Sequence, residues 1–211
     1  MLHNISNKIS KIIILCLFIL SSCTTTMLDK TLKFNKNYVL GNIAAIDSSF
    51  SDLESLLYVD IKSQNMFLIK KGTILRSFKI SSSYYGTGSR VNSLKTPLGK
   101  HEVYKKIGKD LPVNAILKGR VWSGAIANVI TEDIDTDFDH VTSRILWLDG
   151  LEMGKNKGPG VDSRSRYIYI HGTAEEGLIG KPASDGCIRM YNADVIDLFD
   201  LVNERSQVWI Y

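Results

Sequence analysis

Residues 56–80 read LLYVDIKSQNMFLIKKGTILRSFKI. Leu57-Tyr58-Val59-Asp60-Ile61 and Asn65-Met66-Phe67-Leu68-Ile69 are short runs rich in aliphatic and aromatic residues, and they flank Lys62-Ser63-Gln64 as in a hairpin. Lys70-Lys71-Gly72 makes a second turn into Ile74–Ile80. Three neighbouring strands joined by short turns form an antiparallel meander, which opens an all-β or sandwich-like domain and not a Rossmann unit. No GxGxxG follows a strand and no Walker Gly-Lys-Ser/Thr occurs, so nucleotide chemistry has no support.

Downstream, Ser81–Arg90 is a polar loop, and Thr96-Pro97-Leu98-Gly99 is good turn chemistry because Pro fixes φ and Gly permits φ > 0. His101–Tyr104 is strand-like, and His101, preceded by Lys100, reads as a surface or wall residue. Residues 105–128 are basic and Gly-marked. The acidic run TEDIDTDFDH (131–140) lacks the central Gly and twelfth-position Glu of a calcium loop and reads as solvated. Thr142–Leu148 is another strand, and residues 150–161 form a Gly-rich loop. Val195, Leu198, Phe199 and Val202 recur at helical spacing, predicting a helix from Ala193 to about Glu204 with Asn192 as its cap. Val208–Tyr211 reads as a last strand.

The chemistry is concentrated in YIYIHGTAEEGLIGKPASDGCIRM, residues 167–190. An alternating strand delivers His171 at its end, and a Gly- and Pro-containing loop returns to Ser184-Asp185-Gly186-Cys187. A thiol is a strong nucleophile only as thiolate, and a nearby imidazole is the usual means of making it one. Gly172 and Gly186 remove side-chain bulk beside both groups. A papain-like endopeptidase is disfavoured, because there the Cys precedes the His in the chain.

Together with Thr96-Pro97-Leu98-Gly99, these residues resemble the L,D-transpeptidase catalytic domain (YkuD-type) family of bacterial cell-wall enzymes. The family signature is His-Gly, a spacer, Ser/Thr-His-Gly-Cys, a hydrophobic residue and Arg or Asn. It stands here as His171-Gly172 and Ser184-Asp185-Gly186-Cys187-Ile188-Arg189, with Asp185 where the family usually has His. The resemblance implies a mainly β fold, a YkuD-like β-sandwich of mixed sheets with a short C-terminal-side helix. It implies Cys187 as nucleophile, His171 as base, the Gly172 carbonyl orienting the ring, and no cofactor or metal. The backbone N–H groups of Gly186 and Cys187 are expected oxyanion donors. Ser184 and Arg189 are expected at the substrate, Arg189 alternatively in a structural salt bridge. Asp185 is expected to accept loop amides or to pair with Arg189 or a protonated His171. The implied partners are peptidoglycan stem peptides. The implied reaction forms a thioester with release of D-Ala, then transfers the acyl group to an amine. The alternatives are L,D-carboxypeptidase action, with water as acceptor, and an impaired wall-binding module.

The first residues are not fold. Lys8 and Lys11 precede the apolar run Ile12–Leu20, too short to span a bilayer but suited to an export signal. Leu20-Ser21-Ser22-Cys23 resembles a lipobox, so residues 1–22 are expected as a lipoprotein signal, Cys23 as the lipidated residue, 23–54 as a tether or N-terminal segment whose apolar second half docks on the domain or forms a short helix, and 55–211 as the catalytic domain. That predicts an exported protein anchored to a membrane through Cys23 and facing the periplasm or cell wall. Of three cysteines, Cys16 falls in the signal and Cys23 under lipid, which leaves Cys187 unable to form an internal disulfide. With no Cys pair and no clustered His, structural zinc has no support. The net charge is +4, and Lys8 and Lys11 supply two of it, leaving about +2, too little for a nucleic-acid-binding face.

Overall fold

The structure, a computed structural model, describes residues 36–211. The export signal, Cys23 and the start of the tether lie outside the described residues. The chain divides into two compact units at Ser48/Ser49. In the first, residues 36–46 form helix α1, so part of the expected tether is helical. The second unit, Ser49–Tyr211, carries all the strands of the described residues.

The meander forms as its sequence predicts. β1 (Leu56–Asp60) and β2 (Asn65–Lys70) pair antiparallel, and β3 (Thr73–Lys79) follows β2. Asp60 closes the first turn by accepting from Ser63 N–H and Oγ, at 3.2 and 2.7 Å. Lys71 and Gly72 both adopt positive φ (46° and 71°), the twist that suits a tight hairpin.

Seven further strands complete the fold. They are β4 (Gly99–Ile107), β5 (Ala115–Lys118), β6 (Val121–Ile126), β7 (Val141–Gly150), β8 (Tyr169–Thr173), β9 (Ile188–Met190) and β10 (Gln207–Ile210). The strand order is β3-β2-β1-β10-β4-β7-β5-β6, with β8 pairing off β7 and β9 off β8. The pairs β1–β10 and β8–β9 are parallel and the rest antiparallel, so the sheet is mixed. Helix α2 (Asn192–Leu201) follows β9. One core takes Leu57 and Val59, Met66 and Leu68, Leu146 and Leu148, Ile170, Ile188 and Met190, Val208 and Ile210, with Val195, Leu198 and Phe199 of α2. The period of two in the strands and the three-to-four spacing in the helix select these residues. Each such aliphatic side chain contributes about 1.5–3 kcal/mol on burial. The result is the expected mainly β, sandwich-type fold.

Several expectations need correction. Residues 105–128 contain the β5–β6 hairpin, unseen in the sequence. His171 lies within β8, not at its end, because Gly172 and Thr173 continue the pairing with Thr142 and Val141. Asn192 does not cap α2 through its side chain, since Tyr191 occupies the cap position. Its amide instead accepts from Thr142 Oγ1 and Ser143 Oγ at 2.7 and 2.6 Å and donates to the Thr173 carbonyl at 2.7 Å, tying β7 and β8 to the helix.

His101 is fully buried rather than on the surface, and both ring nitrogens are engaged: Nδ1 lies 3.0 Å from the Gly99 carbonyl oxygen and Nε2 2.9 Å from Ser163 Oγ. Burial pulls its pKa down from 6.5 to about 4. The unfolded chain therefore takes up this proton first, and stability falls as pH drops from 6.5 towards 4. We expect urea unfolding to show a loss on the order of 3 kcal/mol across that window, clearly smaller in His101→Gln. Equal losses in both proteins would contradict the assignment.

Candidate active site

Parallel pairing places β8 and β9 in the register Ile170↔Ile188, His171↔Arg189 and Gly172↔Met190. Side chains alternate between the faces of a strand. Ile170, Ile188 and Met190 enter the main core, so Tyr169, His171 and Arg189 point to the opposite face. Cys187, one residue before β9, joins that face. It packs with Tyr169, Ile145 and Leu117 in a second cluster, and the Tyr169 N–H donates to its sulfur at 3.3 Å. Two strands thus put on one face an imidazole and a thiol that lie sixteen positions apart in the chain.

His171 is 1 % exposed, and its Nδ1 lies 2.8 Å from the Gly172 carbonyl oxygen. A carbonyl can only accept, so Nδ1 carries the hydrogen and Nε2 holds the lone pair of the neutral ring. Burial lowers the His171 pKa, with Asp139 opposing that effect, so the imidazole is neutral at pH 7. Cys187 is half-buried and its thiol donates to the Tyr167 carbonyl at 3.4 Å. Burial pushes the thiol pKa up to about 12 against the Tyr169 amide hydrogen bond, with Asp139 adding to the rise and Arg189 and Arg166 opposing it. The resting state is therefore a thiol hydrogen-bonded to the Tyr167 and Tyr169 backbone, with a neutral imidazole on the same face.

The glycines are required by geometry. A Cβ on Gly172 would stand 2.6 Å from Asn192 Oδ1 and 2.9 Å from the Thr142 carbonyl. Gly186 sits at φ +119°, a conformation that L side chains rarely adopt. Ser184 is fully buried, and its hydroxyl donates to the Cys187 carbonyl at 2.6 Å while accepting the Gly186 N–H at 3.3 Å. Its hydroxyl shapes the thiol loop instead of facing substrate. Of the two amides expected as oxyanion donors, Gly186 is thus turned to Ser184. Thr96, from the Thr-Pro-Leu-Gly turn, donates through Oγ1 to the Gly186 carbonyl at 3.1 Å and accepts from Ser83 N–H at 3.0 Å. That turn buttresses the thiol loop.

Arg189 is 2 % exposed and pairs with Glu175 at 2.9 Å and Asp139 at 2.7 Å. Its guanidinium is taken up by the chain's own carboxylates, the salt-bridge geometry and not that of a free anion clamp. Asp185 takes none of the roles expected of it: its side chain is exposed, and Arg189 pairs elsewhere. Sequence reasoning missed Glu175 and Asp139. Glu175, fully buried, also accepts from Thr136 N–H and Oγ1 at 2.7 and 2.5 Å. The acidic run is therefore not wholly solvated, since Asp139 reaches the site. A cleft of about 250 Å³ opens here, with Tyr84, Tyr85, Asp135, Asp139, Asp185 and Arg189 in its wall.

A buried imidazole held by the next carbonyl and, among the described residues, a single free thiol share one face of a parallel strand pair. The L,D-transpeptidase catalytic domain model (YkuD) matches residues 54–210, and the chain belongs to that family. Among curated relatives, the Bacillus subtilis protein named L,D-transpeptidase YkuD is 51 % identical over 49 residues, 23 % of this chain and 30 % of that protein. The Bacillus subtilis protein named L,D-transpeptidase YqjB is 46 % identical over 52 residues, 24 % of this chain and 28 % of that protein. The aligned part thus spans under a third of either relative. Among solved structures, L,D-transpeptidase 3 from Mycobacterium tuberculosis aligns with TM-score 0.47 and 14 % identity, over 75 % of this chain and 61 % of that one. An L,D-transpeptidase from Mycobacterium smegmatis aligns with TM-score 0.46 and 16 % identity, over 75 % of this chain and 58 % of that one.

Removing one partner of a buried ion pair leaves the other charge uncompensated. Arg189→Met should therefore lower the urea-unfolding free energy by about 3–5 kcal/mol. A loss below about 1 kcal/mol, the scale of an exposed pair, would show that Glu175 does not depend on Arg189.

Proposed function

We propose that the protein is a peptidoglycan L,D-transpeptidase. Its donor is a stem tetrapeptide, attacked at the carbonyl of the third residue. His171 Nε2 takes the Cys187 thiol proton as Sγ adds to that carbonyl carbon, giving a tetrahedral oxyanion. Collapse breaks the C–N bond, the D-Ala amine leaves with the proton from His171, and a thioester remains on Cys187. An acceptor amine then attacks the thioester and gives a proton to His171, which returns it to the departing sulfur. A second stem as acceptor makes a 3-3 cross-link, and a protein lysine makes a protein attachment. The observation that carries this reading is the 2.8 Å contact between His171 Nδ1 and the Gly172 carbonyl, which leaves Nε2 as the basic atom.

The Cys187 N–H supports the oxyanion role, because it is the amide of the thiol loop that Ser184 does not engage. Cys23 remains the proposed lipidation site, with residues 1–22 as its signal. It would hold the enzyme at a membrane surface beside its polymeric substrate.

The test incubates the protein with a purified disaccharide-tetrapeptide and follows mass, with Cys187→Ala as control. The expected result is loss of D-Ala with the wild type alone and formation of a cross-linked dimer. Tripeptide without dimer would instead make water the acceptor and the protein an L,D-carboxypeptidase. Absence of both products and of a Cys187 adduct would leave only the wall-binding module.

A further inference from the structure

Arg189, expected at a substrate carboxylate, is occupied by Asp139 and Glu175. A second arginine stands by the thiol. Arg166 immediately precedes Tyr167, whose carbonyl accepts from Cys187 Sγ at 3.4 Å. On its other side, Arg166 Nη2 donates to the Lys95 carbonyl at 2.7 Å. The Leu94 and Lys95 carbonyls lie against Gly186, each 3.4 Å from where a Cβ would stand. The guanidinium is thus bracketed by the two backbone segments that enclose Cys187.

The contacts of Arg166 are neutral ones. Besides Lys95 O, they are the Gly88 carbonyl at 3.3 Å and Ser93 Oγ at 3.5 Å. Among the described residues, no Asp or Glu pairs with it, unlike Arg164, Arg189 and Arg205. A guanidinium has more N–H donors than these contacts use, and this one is half-buried, with part of its surface open. Burial lowers its pKa, and Cys187 is the neighbouring group that opposes this. A half-buried cation without a counter-charge beside a nucleophile is suited to an anion that arrives with substrate.

We propose that Arg166 binds the C-terminal carboxylate of the donor peptide, the carboxylate of the residue that leaves. This rests on the L,D-transpeptidase reading above. In any such donor that carboxylate lies one residue beyond the attacked carbonyl, about 3.5 Å further along an extended chain. Its position relative to Cys187 is therefore set by the reaction, whatever the rest of the stem does. Binding there would favour donors with a free terminal carboxylate over longer or capped ones.

The test uses the full chain purified in detergent, with two donors: a tetrapeptide stem ending in a carboxylate and its C-terminal carboxamide. A charged hydrogen bond is worth about 10- to 100-fold in kcat/KM, so the wild type should prefer the carboxylate by that factor. Arg166→Met should abolish the preference and act mainly through KM, while Arg166→Lys should keep part of it. A purely structural Arg166 would lower turnover of both donors equally. Undiminished preference in Arg166→Met, or no preference in the wild type, overturns the clamp and leaves the transpeptidase reading standing. If the wild type turns over neither donor and forms no adduct on Cys187, both fall together.

Discussion

The site depends on a parallel pairing of two very short strands. β8 and β9 share only three partnered positions, yet that register decides which side chains meet. Because faces alternate, a slip of one residue would turn Cys187 and Arg189 into the apolar core and Ile188 out of it. The cost of burying Arg189 among Ile170, Leu146 and Leu148 makes that slip prohibitive. Ile170 and Ile188 on one face, and the Arg189 ion pairs on the other, thus specify the same alignment. Asn192 adds a third constraint by joining β7, β8 and α2 through one buried amide.

The same packing sets the chemistry. Burial keeps both the imidazole and the thiol neutral, and Asp139 further disfavours a thiolate. Arg189 is already paired with Glu175 and Asp139, and the pull of Arg189 and Arg166 towards a thiolate is outweighed by burial. In the mechanism we propose, the nucleophile is generated at the moment of attack, with Nε2 as acceptor and the Gly172 carbonyl fixing the tautomer.

Much of this was legible in the sequence. β2 and the first half of β4 alternate because one face of each is the more buried, β1 is buried on both faces and reads as a nearly continuous apolar run, and the helix shows its stripe because one side packs into the core. The β5–β6 hairpin was not legible: every residue of β6 is exposed, so Val121–Ile126 carries no alternation to read. His171, Cys187 and the glycines were visible through their spacing and type. Asp139 was hidden among five acidic residues, and nothing in one dimension says which of them turns inward. Glu175 was hidden as one of two consecutive glutamates, although a buried Arg189 demands some carboxylate partner. Arg166 sits in Asp162-Ser163-Arg164-Ser165-Arg166, a stretch whose composition reads as plain solvated loop. Ser184 and Asn192 were assigned by residue type to substrate and to a helix cap, and each is instead engaged by the scaffold around it.

The central claim is that the resting site holds a neutral thiol and a neutral imidazole. It is tested most directly by the ultraviolet thiolate absorbance of the ligand-free protein against pH, with Cys187→Ser as the blank. The account predicts no thiolate signal from Cys187 at neutral pH, and a rise only well above the ordinary thiol value of about 8.5. A full thiolate band at pH 7 that disappears only on acidification would contradict it, because that is the behaviour of a thiolate–imidazolium pair.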